Sequence, residues 1–260
     1  MAFGTLFAGE DMKTMRWLAV SLILASAWGA VGCQKVDSTD VRTSGVYAEF
    51  TVTEHSTAEA KVDASLWVGG ALSNTYLKLA GQDHLTVYVG SAAYPMQGNS
   101  ALFQSYSAII PYPAVDTELR VAFERGPADV SAPSSTVIVP GLFALAPLAK
   151  TQYSRANDTL EIDWTPFDPN HVVSWFAVGV CVQMFSGNDA VDSGRVTIPA
   201  GTLKKPPLPG PDEEHHPIPP DQCTADAYVT KSRDSQVDPA FSGGTFTASQ
   251  TRSVSFASVP

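Results

Sequence analysis

Strict two-residue alternation, broken at short intervals by turn residues, limits what this chain can fold into. Val46, Ala48, Phe50 and Val52 alternate with Tyr47, Glu49, Thr51 and Thr53. Val62, Ala64, Leu66 and Val68 repeat the pattern up to Gly69-Gly70. A period of two puts each set on one face of a strand. Leu77 and Leu79, then Leu85, Val87 and Val89, then Tyr106–Ile110, then Leu119, Val121 and Phe123, continue the series to Val137–Val139 and the Pro140-Gly141 break. After it, Leu160, Ile162 and Trp164 alternate with acids, and Arg195–Ile198, Cys223–Thr230, Thr245–Ala248 and Ser253–Phe256 read as further strands. Trp175 to Phe185 is apolar on both faces, which predicts a central strand. The segment 205–222 holds seven prolines and is expected to be an extended loop. Strands at this spacing predict an all-β chain of two tandem antiparallel sandwiches, residues 44–140 and 141–260.

The charge balance is acidic: 16 Lys and Arg stand against 26 Asp and Glu, a net of −10. No basic cluster follows the N-terminus, which argues against nucleic-acid binding, because phosphate contacts need Lys and Arg. The N-terminus itself is of another kind. Lys13 and Arg16 precede an apolar run from Trp17 to Gly32, too short to span a bilayer comfortably, and small residues lead into Cys33. Glu10 and Asp11 do not suit a region retained on the cytoplasmic side, so translation is expected to begin at Met12.

This arrangement resembles a bacterial lipoprotein signal, with Ala30-Val31-Gly32-Cys33 as the lipobox and Ala30 in place of the usual Leu. The resemblance implies removal of residues 1–32 and lipid attachment to Cys33, so that a membrane is the first partner and the covalent lipid stands in place of a cofactor. Gln34 after the cysteine implies sorting to the outer membrane, facing either the periplasm or the outside. Residues 33–43 then form the lipidated cysteine and a polar tether.

Setting Cys33 aside leaves Cys181 and Cys223. Two thiols exported to an oxidising compartment are expected to pair, with two separate buried thiols as the alternative.

The stretch Asp158–Pro166, followed by 175–185, resembles the B and C strands of fibronectin type III domains. That likeness implies a core position for Trp164 between two sheets. The lipobox, the Val46-Tyr47-Ala48 start, and the closing Gly243-Gly244 and Gln250-Thr251-Arg252 are similar to bacterial outer-membrane lipoproteins with Ig-like sandwich domains. Those proteins lend no catalytic residues. The expectation is a lipid-anchored envelope protein, not an enzyme, that binds an envelope protein or glycan or serves a structural role.

Four features compete with that reading. Glu213-Glu214-His215-His216 offers metal-competent side chains, but neighbours in an extended chain point opposite ways, so His215 and His216 are weak candidates for low-affinity metal binding. Val191-Asp192-Ser193-Gly194 matches an aspartic-protease loop in one copy where two are needed, and reads as a turn. His55, His84 and His171 read as loop histidines, and no nucleophile or phosphate-loop motif is present. Finally, Tyr47, Trp67 and Tyr88 are expected on the face opposite the aliphatic core of the first unit, covered there by a loop or the neighbouring domain, with a candidate ligand face for a carbohydrate-binding or adhesion module as the alternative.

Overall fold

The computed structural model describes residues 34–99, 104–114, 117–127, 129–189, 191–208 and 218–260. Cys33, the segment before it and Glu213–His216 lie outside the described residues. The strands of the first half are β1 (Gln34–Asp37), β2 (Val46–Ser56), β3 (Glu59–Val68), β4 (Thr75–Lys78), β5 (His84–Val89), β6 (Ala92–Pro95), β7 (Gln97–Asn99), β8 (Ser105–Pro111), β9 (Glu118–Glu124) and β10 (Ala132–Ile138). Those of the second are β11 (Ala144–Leu145), β12 (Gln152–Ser154), β13 (Leu160–Thr165), β14 (Val172–Gly179), β15 (Val182–Asp189), β16 (Arg195–Ile198), β17 (Cys223–Ser235) and β18 (Gly243–Val259). Among the described residues there is no α-helix, only two single 3₁₀ turns at Ser38–Asp40 and Thr43–Gly45.

An 11-stranded sheet runs through the molecule in the order β1-β4-β3-β2-β18-β17-β14-β15, with β8, β7 and β12 attached beside it. Two smaller sheets cover one face. The order β10-β9-β5-β6 packs over the first half and β11-β13-β16 over the second. The alternating residues named above point into the two resulting cores. Phe50, Leu66, Leu85, Val87, Phe123 and Phe246 meet in the first, and Leu160, Ile162, Trp164, Val173, Val229 and Phe256 in the second. Each buried side chain of this size contributes roughly 1.5–3 kcal/mol.

The division at residue 140 is corrected by β18. Its first part pairs parallel with β2, from Gly243↔Tyr47 to Ser249↔Thr53, and buries Phe246 and Ala248 in the first core together with Phe241. Its last part pairs with β12 and buries Phe256 in the second core. Residues 241–248 therefore belong to the first unit. The two expected short strands are one 17-residue strand because Gln250 and Arg252 continue the inward series across the seam. Parallel approach to β2 needs glycine at 244, where a Cβ would lie 1.9 Å from the Ala48 carbonyl oxygen.

Two other expectations also change. The apolar stretch 175–185 is a hairpin, with a turn at Val180-Cys181 and β15 at the sheet edge rather than one central strand. Residues 34–43 are not a loose tether. Gln34–Asp37 pair parallel with Thr75–Lys78, and Ser38 and Thr43 are buried.

Candidate binding face and ionic clusters

The expected aromatic face is half present. Tyr47 and Trp67 are register partners on β2 and β3, with ring centroids 6.2 Å apart on the open face of the large sheet. Tyr88 is not with them. It lies on β5 in the opposing sheet, where the Arg120 guanidinium sits 4.0 Å over its ring and its hydroxyl donates to Glu124 Oε1. Alternation assigns a side chain to the outside of its own sheet, and two stacked sheets have two outsides. The ring that does complete the row is Tyr76 on β4, in register with Trp67 and 5.9 Å from it. The row therefore reads Gly243, Tyr47, Trp67, Tyr76, Lys35 across five strands. All three rings are half-buried against their neighbours.

Arg125 holds the N-terminal segment down. Its side chain is buried, and Nε donates to Asp83 Oδ2 at 3.0 Å. Nη1 donates to the Val41 carbonyl, Thr43 Oγ1 and Asp129, and Nη2 to the Ser38 carbonyl. Burial alone would raise the Asp83 carboxyl. The Gly126 amide, Ser38 and Arg125 outweigh it and hold the group below its ordinary value. A cavity of about 410 Å³ opens beside this cluster, lined by Arg42, Gln82 and Asp129 among others. The guanidinium on its wall is already committed to five acceptor groups of the protein.

A second cluster sits between the sheets of the second unit. Asp192 is more than a turn residue. Its fully buried carboxylate meets Lys231 Nζ at 2.7 Å and accepts from Trp164 Nε1 at 2.8 Å and from the amides of Asp168 and Gly194. Burial pushes this carboxyl up, but those four donors bring it below its ordinary value. Lys231 Nζ also donates to the Pro166 carbonyl and lies 4.8 Å from the centre of the Phe143 ring. Trp164 thus has the core place its resemblance implied, with its indole N–H satisfied.

His171 lies in the loop between β13 and β14, as expected, but it is buried there and neither ring nitrogen makes a hydrogen bond. Burial pushes its imidazole below the ordinary range, Asp168 and Asp192 pull it up, and Arg233 and Lys231 reinforce the fall. His55 and His84 are exposed.

Between the two cores the linker is pinned by side chains. Gln250 Oε1 accepts from the Phe143 amide at 3.0 Å, while Arg252 Nε donates to the Phe143 carbonyl and Nη1 pairs with Glu54. Gln250 Nε2 donates to the Tyr112 hydroxyl, which donates to the Pro140 carbonyl. Burial, with Glu54 nearby, raises the Tyr112 phenol to about 12. Arg125, Lys231, Gln250 and Tyr76 were missed from sequence. Lys231 and Gln250 do carry one signal, since both continue an inward-facing alternation.

Cys181 and Cys223 form a disulfide, with Cα atoms 5.7 Å apart. Among the described residues, no group of three or more His, Cys, Asp or Glu is placed to hold a metal, and no helix is long and apolar enough to cross a membrane.

No family model and no curated protein matches the sequence. Solved structures do show a likeness. The chain is similar to the mouse nectin-like molecule 4 ectodomain (Ig1–Ig3), with 10% identity, a TM-score of 0.24, and coverage of 79% of this chain and 62% of that one. Fibronectin(III)-like modules of Clostridium thermocellum CbhA give 11% identity and a TM-score of 0.25, over 89% of this chain and 91% of theirs. Native alpha-2-macroglobulin from Escherichia coli, spanning MG0-NIE-MG1, gives 9% and 0.23, over 81% and 73%. Scores this low add nothing to the fold assignment, which rests on the stacked sheets themselves. The protein is an all-β molecule of two sandwich cores sharing one sheet.

Proposed function

We propose that this chain is a lipid-anchored protein of a bacterial outer membrane, with a non-catalytic binding or structural role toward other envelope components. The observation that carries this reading is that Gln34, the residue after the cysteine of the lipobox, is already paired with Thr75 in the large sheet. Arg125 clamps the residues that follow, so an anchor on Cys33 would hold the body without slack. The Cys181–Cys223 bridge supports export, because structural disulfides persist in oxidising compartments. The buried Arg125, Lys231 and Asp192 are each engaged by structural partners, which favours a scaffold over acid–base chemistry. The sugar-binding alternative loses its original support, since Tyr88 lies on the far side from Tyr47 and Trp67.

The test is the intact mass of the protein extracted from membranes, beside a Cys33→Ser variant. Acylated Cys33, and release of the variant into the soluble fraction, are the expected results. An unmodified Cys33 overturns the reading.

A further inference from the structure

The row Tyr47, Trp67, Tyr76 lies at one end of the large sheet, and several features converge on that end. Tyr47 is near the start of β2, Trp67 near the end of β3 and Tyr76 near the start of β4. The turn from β3 to β4 therefore closes this end. It contains Gly69 and Gly70 at φ of 92° and 119°, followed by Ala71 and Leu72. Leu72 is fully exposed, at 102% of its reference area, while the other large aliphatic residues of β2–β4 point into the core. An apolar side chain held out at a turn has no role in the fold's own packing. The same turn receives the start of the chain, because the Gln34 amide donates to the Asn74 carbonyl at 3.1 Å. Lys35 then stands in register with Tyr76 at the end of the aromatic row.

Covalent length keeps an anchor on Cys33 close to this end of the sheet. Two peptide units join Cys33 to Lys35, a reach of at most about 7 Å. Because β1 is paired along its length and the next residues are clamped by Arg125, no further slack separates an anchor on Cys33 from this end of the sheet. Trp and Tyr rings settle at the membrane–water boundary, and a Lys stem reaches along it to leave its charge in water.

We propose that this end of the first unit docks on the bilayer surface, with Leu72 inserted and the Tyr47–Trp67–Tyr76 row at headgroup level. The proposal rests on the lipid-anchor reading. It explains the exposed leucine and the position of the rings together. Three half-buried rings are far short of the roughly 800 Å² per partner of a standard protein interface. The adjoining positions of this face on β2 and β3 are Glu49, Thr51, Asp63 and Ser65, and the exposed Ile109 on β8 stands at the far end of β3, in register with Lys61.

The experiment uses the full lipidated protein in phosphatidylcholine vesicles, with and without bromine on the acyl chains near the headgroup. Bromine quenches only indoles at the membrane. The expected result is quenching that disappears in Trp67→Phe and falls in Leu72→Asp, an exposed site where folding is unaffected. The acyl mass on Cys33 is read on the same samples. Acylated protein with equal emission in both vesicle types overturns the docking and leaves the anchor reading intact. Unacylated Cys33 overturns both. Quenching that persists in Trp67→Phe, or loss of membrane contact in favour of a soluble oligosaccharide that shifts Trp67 emission, also overturns it.

Discussion

The two units solve the same problem with different means. The first core is covered by a four-stranded sheet and holds Phe50, Phe123, Phe241 and Phe246, with Phe123 and Phe241 stacked at 5.9 Å. Its ionic cluster lies at the margin, where Arg125 ties down a segment with little apolar surface of its own. The second core is covered by only three strands, one of them two residues long. There the ion pair Asp192–Lys231 lies between the sheets, and a disulfide joins the β14–β15 turn to the start of β17. Where the covering sheet is small, buried charge and a covalent link replace apolar area. A planar guanidinium suits the margin because it can serve several backbone acceptors at once, and a point charge suits a single carboxylate.

Breaking the second cluster should have the largest effect. Asp192→Ala leaves Lys231 buried without its counter-ion and strands three N–H donors, and should cost about 4–5 kcal/mol in urea unfolding. Replacing Cys181 and Cys223 together with Ala opens a loop with a sequence separation of 42 residues. The chain-entropy cost is about 4 kcal/mol, measurable as a lower denaturation midpoint. Arg125→Ala should cost less, about 3 kcal/mol, because Asp129 is partly exposed and both it and the buried Asp83 line the open cavity, from which water can reach them. Its signature is local: amide exchange should accelerate in residues 34–43 well before β14 or β17 responds.

The smallest effect is pH dependence, and it sharpens the contrast. The folded pKa of His171 lies below 6.5, so below pH 6.5 the unfolded chain takes up a proton that the folded chain refuses. Stability is therefore full above 6.5 and declines as pH falls beneath it. His171→Leu should flatten that window. Asp83, Asp192 and Asp238 have lowered folded values, so their contribution is present above 3.8 and is lost as pH falls through those lower values. This acid limb should survive in His171→Leu. A variant with an unchanged slope between pH 6.5 and 4 would show that His171 is not the group responsible.

Much of the fold was legible in the sequence. Alternation located β2, β3, β5, β9 and β13, because each has one face in a core and one in water. The pairing of Cys181 with Cys223 was readable from number alone once Cys33 was set aside as the expected lipid site. Other features were hidden for physical reasons. Ser249-Gln250-Thr251-Arg252 reads as a break, yet the backbone runs straight through, since side-chain hydrogen bonds to the linker satisfy the polar groups at the seam. Residues 34–43 are polar because Arg125 holds them through carbonyls and hydroxyls, a contact no local pattern announces. Tyr88 shows that alternation reports which way a residue points from its own sheet, not which sheet it belongs to. Tyr76 entered the row through register, which a four-residue strand does not reveal.

β18 makes the two cores one cooperative structure, with Phe246 in one and Phe256 in the other. Differential scanning calorimetry of residues 34–260, with the disulfide intact, tests it directly. One transition, with calorimetric and van't Hoff enthalpies equal, is the predicted result. Two resolved transitions, each with the enthalpy of half the chain, would contradict it.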